Sequence, residues 1–264
     1  MTARGRREQV APERHDELSF EALASSYNFR RTDDWIGIFV RLVVDELNAL
    51  ASAATVVDIG SGYGIAGSAE RVRAVRTAAG ELWGVEPDAD APEPAGVFDV
   101  FKRATLEASD LPPGRFDFAY SFMVMEHVVD PESFLRAVRA CLKPGGTYMF
   151  LTVNGRHYFA LAARVARALR IDEILLRAVR GREDVSRYHY PVQYRCNVPS
   201  VIDRLAALTG FDPPEYVFLE EDGPVDYMRG PLRPAMHALR WKRSLVRRPE
   251  QLLTMIVRMR AASA

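Results

Sequence analysis

Residues 56–67 read Val-Val-Asp-Ile-Gly-Ser-Gly-Tyr-Gly-Ile-Ala-Gly, and this run decides the fold. Thr55 to Ile59 form a short, apolar, β-branched strand with an acid, Asp58, near its end. Glycines then alternate at Gly60, Gly62 and Gly64, and a helical pattern follows. Glycine serves where a backbone must turn sharply or let a ligand touch it. The stretch predicts a strand–turn–helix crevice for a small molecule, with a carboxylate at its lip.

Two nucleotide ligands suit such a bend. Gly62-Tyr63-Gly64-Ile65-Ala66-Gly67 satisfies the G-x-G-x-x-G dinucleotide pattern. In the overlapping reading, Asp58-x-Gly60-x-Gly62-x-Gly64, the acid precedes the glycines. A carboxylate beside the loop repels a pyrophosphate and attracts the amino group of a methionine moiety. That favours S-adenosylmethionine over NAD.

A second acid stands where a mononucleotide fold needs one. Leu82-Trp83-Gly84-Val85-Glu86 reads as a strand ending in a carboxylate, about 20 residues past the last glycine. Parallel strands need a crossover, and residues 66–79 supply one, with Ala66, Ala69, Val72, Val75 and Ala79 at helical spacing. Glu86 then lies beside the glycine loop, able to accept from both ribose hydroxyls. NAD proteins use an acid at this place too, so Glu86 supports a nucleoside without choosing the ligand.

Phe116 to Ser121 is a buried-type strand running into Phe122-Met123-Val124-Met125-Glu126-His127-Val128-Val129-Asp130-Pro131. Asp130, Pro131 and Glu132 make a helix start: a capping acid, proline at the first position, an acid in the first turn. Phe134, Leu135, Val138 and Leu142 line this helix, and Lys143-Pro144-Gly145-Gly146 ends it. A strand from Thr147 to Val153 follows.

On Asp58 with its three glycines, Glu86, Glu126-His127-Val128-Val129-Asp130-Pro131 and Leu142-Lys143-Pro144-Gly145-Gly146, the chain resembles the class I S-adenosylmethionine-dependent methyltransferases of small-molecule type. The resemblance covers residues 55–153 and continues more loosely through Tyr190 to Asn197 and Thr209-Gly210-Phe211. It implies a Rossmann-like, doubly wound α/β fold: a mostly parallel seven-stranded sheet, helices on both faces, N-terminal helices and an inserted helical cap. It also implies cofactor contacts. Asp58, Gly60, Ser61, Gly62 and Gly64 would hold the methionine part. Glu86 would bind the ribose, with Pro87 near the adenine and Leu106 and Glu107 flanking it. Ser121 and Phe122 would lie beneath the sulfonium. Thr105-Leu106-Glu107 departs from the family, where an aspartate is frequent at this place.

Residues 1–50 read as an N-terminal helical extension, with helices from Ser19 to Tyr27 and from Trp35 to Leu47. Ile38, Phe39, Leu42, Val43 and Val44 give the second a broad apolar face. Such helices often cover the cofactor in this type of enzyme, so Tyr27 and the arginines Arg30 and Arg31 are candidate contacts, Arg31 toward the cofactor carboxylate. Residues 51–264 form the methyltransferase domain. Within it, residues 154–197 interrupt the connection after the fifth strand, and long inserts in compact α/β domains are usually functional. This expected substrate cap holds His157, Tyr158, Tyr188, His189 and Tyr190. A helix from Val198 to Leu208 returns to the core, and Tyr216 to Leu219 is a further strand.

Methyl transfer is one in-line displacement. Positioning donor and acceptor is worth roughly 7–11 kcal/mol, whereas a general base adds only about 10²–10⁴-fold. A missing catalytic triad is therefore no objection. His127 and His189 are the candidate bases, with O-methylation favoured over C- or N-methylation. No oxygen-rich Asp/Asn cluster follows the fourth strand, so no metal is expected. An NAD-dependent oxidoreductase and a non-catalytic cofactor-binding scaffold remain alternatives; Asp58 argues against the first, and the intact loop and Glu86 against the second.

The chain has 264 residues, enough for one large core. Cys141 and Cys196 offer neither a disulfide framework nor zinc spacing. No apolar run reaches the roughly 18 residues of a membrane span. Met1 to Arg14 lack the apolar core of a signal peptide, so a cytoplasmic protein is expected. Lys and Arg number 35, as do Asp and Glu, but the charges segregate. Residues 212–226 carry six acids and no base, whereas 229–264 carry nine bases and one acid, Glu250. That basic segment reads as helical, and its charge suits an anionic partner. No basic, aromatic-interleaved motif of a nucleic-acid module is present. A small-molecule acceptor, drawn from secondary metabolism among other sources, and a homodimer complete the expectations.

Overall fold

The computed structural model describes residues 18–29, 34–50, 53–158, 160, 192–220 and 233–263. Among the described residues seven strands make one sheet: β1 (Thr55–Ile59), β2 (Glu81–Val85), β3 (Val100–Lys102), β4 (Phe116–Phe122), β5 (Leu142–Val153), β6 (Glu215–Leu219) and β7 (Thr254–Arg260). Their order is β3-β2-β1-β4-β5-β7-β6. The β3, β2, β1, β4 and β5 pairings are parallel, and β7 runs antiparallel between β5 and β6. The chain reverses direction across β1, stepping outward through β2 and β3 and then back to β4. Ligands of open α/β sheets bind at the carboxyl ends beside such a switch point.

Both faces are covered. Helices α1 (Phe20–Ala24), α2 (Trp35–Asn48) and α3 (Ala69–Ala78) pack on one, burying Phe20, Leu23, Phe39, Leu42, Val43, Val72 and Val75 in a common cluster with Val56, Tyr120 and Leu151. Helices α4 (Pro131–Cys141) and α5 (Pro199–Thr209) bury Phe134, Leu135, Val138, Ile202 and Leu205 against Val57, Tyr148 and Met255 on the other. The N-terminal helices thus form a layer of the domain's own core. The Asp130 cap is as read: its Oδ1 accepts from the Ser133 amide at 3.2 Å, and Pro131 opens α4.

Several elements differ from the sequence reading, beginning with the first helix, which ends at Ala24 rather than Tyr27. The crossover helix begins at Ala69, because Ala66 and Gly67 hold φ of 51° and 73°, outside helical space. Helix α4 stops at Cys141, and Leu142 already pairs with Phe116; the Lys-Pro-Gly-Gly segment lies within β5 as a slip in register before Phe118 and Thr147. Strand β3 carries too few residues for any periodicity to show. The largest correction concerns 229–264. Only α6 (Arg233–Val246) is helical there at length, and Thr254–Arg260 is a central strand, buried except at Arg260. An apolar run buried on both faces has no period of two to separate it from a helix.

Arg258 lies in that central strand with its side chain 5% exposed. Its Nε donates to Glu215 at 2.8 Å, its Nη2 to Glu21 at 2.7 Å and its Nη1 to Glu46, while Phe20 lies 4.0 Å beneath the guanidinium. One buried cation thereby staples α1, α2 and β6 to β7.

Candidate active site

The glycine bend extends the β1–β2 ladder past its last pair. The amides of Gly60 and Ser61 both donate to the Val85 carbonyl, at 2.8 and 3.2 Å. Gly60 and Gly64 then take φ of 78° and 77°, the left-handed region open to glycine. Gly62 is needed for another reason: a Cβ there would stand 2.7 Å from Oε2 of Glu86 and 3.1 Å from Ala91. The Gly62 amide instead donates to that Oε2 at 2.8 Å, and the Asp88 amide donates to Oε1 at 2.8 Å. Glu86 is therefore oriented at the mouth of the bend.

Asp58 is buried, and its Oδ2 accepts from the Tyr120 hydroxyl at 2.8 Å. Burial pushes its carboxyl up to about 7; the Tyr120 hydrogen bond opposes this, and the nearby Glu86 charge adds to it. Burial, with Asp58 alongside, holds the Tyr120 phenol well above its ordinary value. Two acids thus flank one small-residue cradle. The arrangement suits a cationic amine and a ribose diol, and it opposes a pyrophosphate.

Beyond β4 the chain passes over the bend. Met123 adopts φ of 55°, and Val124 blocks the space a Cβ on Gly60 would need. This brings the loop with Glu126 and His127 to the edge of the crevice. His127 is half-buried, its amide donating to the Val124 carbonyl at 2.9 Å. Glu126 is buried below; its Oε2 accepts from Thr152 Oγ1 at 2.8 Å, and burial raises its carboxyl to about 7. Its main-chain oxygen receives the amides of Gln193 and Tyr194, which ties the end of the insert to this loop.

The remaining sequence-derived residues divide by position. Ser61 is buried, with Oγ 3.5 Å from the Val85 carbonyl. Pro87 is exposed next to Glu86, and Leu106 is a core residue in a single 3₁₀ turn that leaves Glu107 exposed. Ser121 Oγ lies 2.7 Å from the Tyr148 hydroxyl, and the Phe122 ring stacks on Trp35 of α2 at 5.7 Å. Tyr27 is not brought to the bend. Neighbouring Asn28 bridges Leu219 of edge strand β6, four strands from β1, and the Tyr27 hydroxyl donates to the Arg243 carbonyl at 2.9 Å. His157 is wholly buried at the same rim, its Nε2 3.6 Å from Glu220 and its ring 4.1 Å from that of Tyr158. Arg243 pairs with Glu220 and covers the Tyr158 ring at 4.4 Å. Arg31, Tyr188, His189 and Tyr190 lie outside the described residues.

Sequence reasoning missed several participants. Tyr120 was findable, since the register pairs it with Asp58 across β1 and β4. Arg103 was not: its Nη1 reaches the carbonyls of Asp88, Ala89 and Ala91 at 3.0, 3.2 and 2.9 Å and shapes the segment after Glu86. Glu220 and Arg243 gave no local signal either. Among the described residues no three His, Cys, Asp or Glu side chains form a metal-holding group.

A family model described as a methyltransferase domain matches residues 37–212. The chain belongs to this family. It is an S-adenosylmethionine-dependent methyltransferase of class I. A ubiquinone biosynthesis O-methyltransferase of Azotobacter vinelandii (strain DJ / ATCC BAA-1303) is 30% identical over 195 residues, 67% of this chain and 78% of that protein. One of Pseudomonas putida (strain GB-1) is 33% identical over 152 residues, 56% of this chain and 63% of that protein. The methyltransferase also shares its fold with a putative methyltransferase solved in complex with the Haloferax volcanii Trm112 activator: TM-score 0.56, 16% identity, 93% of this chain and 96% of that one. A geranyl diphosphate methyltransferase solved with GPP and sinefungin gives 0.54 at 14% identity, over 84% of this chain and 77% of that one. The side-chain-poor cradle and the buried Asp58 fit such a cofactor. No described helix is long and apolar enough to cross a membrane.

Proposed function

We propose that this methyltransferase methylates an oxygen of a small organic acceptor, with a lipid-like quinone precursor as the leading class. The observation that carries the cofactor placement is the Gly62 amide on Glu86 beside the Tyr120–Asp58 pair. The preference for oxygen rests on the relatives named ubiquinone biosynthesis O-methyltransferase.

S-adenosylmethionine supplies an already activated methyl group. In our reading the protein's residues bind, orient and shield. Asp58, once ionised, pairs with the amino group at the closed end of the bend. Glu86 turns its remaining lone pairs to the ribose hydroxyls, held by the Gly62 and Asp88 amides. Asp88 to Ala91, shaped by Arg103, bound the adenine side. His127, on the loop over the bend, takes the hydroxyl proton of the acceptor into its imidazole. Tyr158 lines the acceptor's side of the rim, with the buried His157 packed behind it.

The test has two parts. S-adenosylmethionine at a hundredfold excess over its dissociation constant should stabilise the fold by about 2.7 kcal/mol in a thermal melt, and NAD should give no shift. Stabilisation by NAD alone would overturn the reading. With labelled cofactor and catechol-type acceptors, His127→Ala should lower turnover about 10²-fold or more and leave cofactor affinity unchanged. Equal turnover would assign His127 to structure.

A further inference from the structure

Helix α6 turns an exposed face outward. Of its side chains described, only Arg243 is buried. Trp241 is 67% exposed, Leu245 62% and Val246 44%. Trp241 and Leu245 are four residues apart and so stand over one another on one side of the helix. Exposed Ala238 lies a turn before them. Lys242 and Arg248 are also exposed, whereas the Arg247 guanidinium lies 5.5 Å over the Tyr27 ring, on the side of Arg243. From 229 to 249 the sequence has seven bases and no acid. Large apolar side chains exposed together on a monomer mark an interaction site.

The helix is held from its other side. Arg243 pairs with Glu220, lies over Tyr158 and offers its carbonyl to Tyr27. Glu220 follows the carboxyl end of β6, and α6 leads toward Thr254, which pairs with Val153 at the carboxyl end of β5. The exposed face therefore lies on the rim of the sheet that also carries the glycine bend.

We propose that α6 docks the methyltransferase on an anionic phospholipid surface. The occupant follows from the chemistry of the face. An indole beside aliphatic side chains favours the level of the headgroups, where an apolar body and a polar N–H are both satisfied. Lysine and arginine carry long apolar stems that cover such a surface while their charges meet phosphate. A helix with apolar and cationic side chains outward and no acid lies flat on anionic lipid. Docked this way, the rim of the sheet faces the bilayer, and an acceptor dissolved in lipid reaches the crevice without crossing water. The proposal concerns the surface alone and holds whichever acceptor is methylated.

Co-sedimentation of the full chain with vesicles tests it. Vesicles of phosphatidylcholine with phosphatidylglycerol should carry the protein down, pure phosphatidylcholine should not, and added salt should release it. The pair Lys242→Glu with Arg248→Glu, and separately Trp241→Ser with Leu245→Ser, should each weaken vesicle affinity about tenfold or more. Both pairs should keep the wild-type melting temperature and cofactor affinity, since these side chains are exposed. Equal binding to both vesicle types would overturn the proposal, as would failure to sediment or wild-type binding by both variant pairs. A concentration-dependent dimer abolished by Trp241→Ser with Leu245→Ser, without vesicle binding, would assign the face to a second copy instead.

Discussion

Asp58 is the residue whose chemistry is most affected by its surroundings. In the ligand-free protein it takes up a proton near pH 7, because burial disfavours the charge. In the proposed placement the cofactor's amine pairs with the ionised form, so at low pH binding must first expel that proton. Cofactor affinity should therefore fall up to about tenfold for each pH unit below about 7. Titration calorimetry across that range checks this, and Asp58→Asn should remove the dependence while weakening binding by about 1–3 kcal/mol. Gly62→Ala should weaken the cofactor for a different reason, since its methyl group would displace the Glu86 carboxylate. Its melting temperature should change far less than its affinity; equal losses would show that the glycine serves the fold instead. Asp58, the glycines and Glu86 were legible in sequence because each acts within a few residues of a strand end. Arg103 was not, since it acts from beyond β3; Tyr120 was legible only through the strand register that sets it beside Asp58.

At the scale of elements, the strongest local signals were helix caps and glycine turns. Asp130-Pro131 fixed the start of α4 to the residue. The Lys143-Pro144-Gly145-Gly146 segment was read as a turn, yet it lies inside β5, because Leu142 is already buried and paired with Phe116. Strand β7 was hidden by its burial. Arg258 shows what that strand does beyond filling the sheet: it gathers Glu21, Glu46 and Glu215 from three elements. Arg258→Met should cost about 1–3 kcal/mol in urea denaturation, below the cost of breaking a fully buried pair, because Glu21 and Glu215 stay largely in water. Hydrogen exchange should rise most in α1, which is short and joined to the sheet by this contact. Unchanged exchange there would show that Phe20 and Leu23 alone hold the helix.

For the whole molecule, buried carboxyls govern how stability varies with pH. Glu126, like Asp58, keeps its proton in the fold up to about 7, whereas an unfolded glutamate releases it near 4.5. Between those values unfolding releases a proton, so raising the pH destabilises the fold, until the loss levels off above the folded value. Glu126→Gln keeps an oxygen for the Thr152 hydroxyl and removes the charge. It should raise the melting temperature at about pH 8 and leave it unchanged at about pH 4; an equal shift at both would trace the effect to packing. By itself the sequence determined the doubly wound fold, the cofactor class and the strand-end positions of the acids and glycines at the bend, because each is written in contiguous residues with a local physical cause. Tertiary structure alone decided that β7 completes the sheet. It alone placed Tyr27 at β6, four strands along the rim from the cradle, and it alone joined Glu220 and Arg243 to His157. Those contacts join residues far apart in the chain, where burial and pairing across the sheet, rather than local propensity, set the outcome.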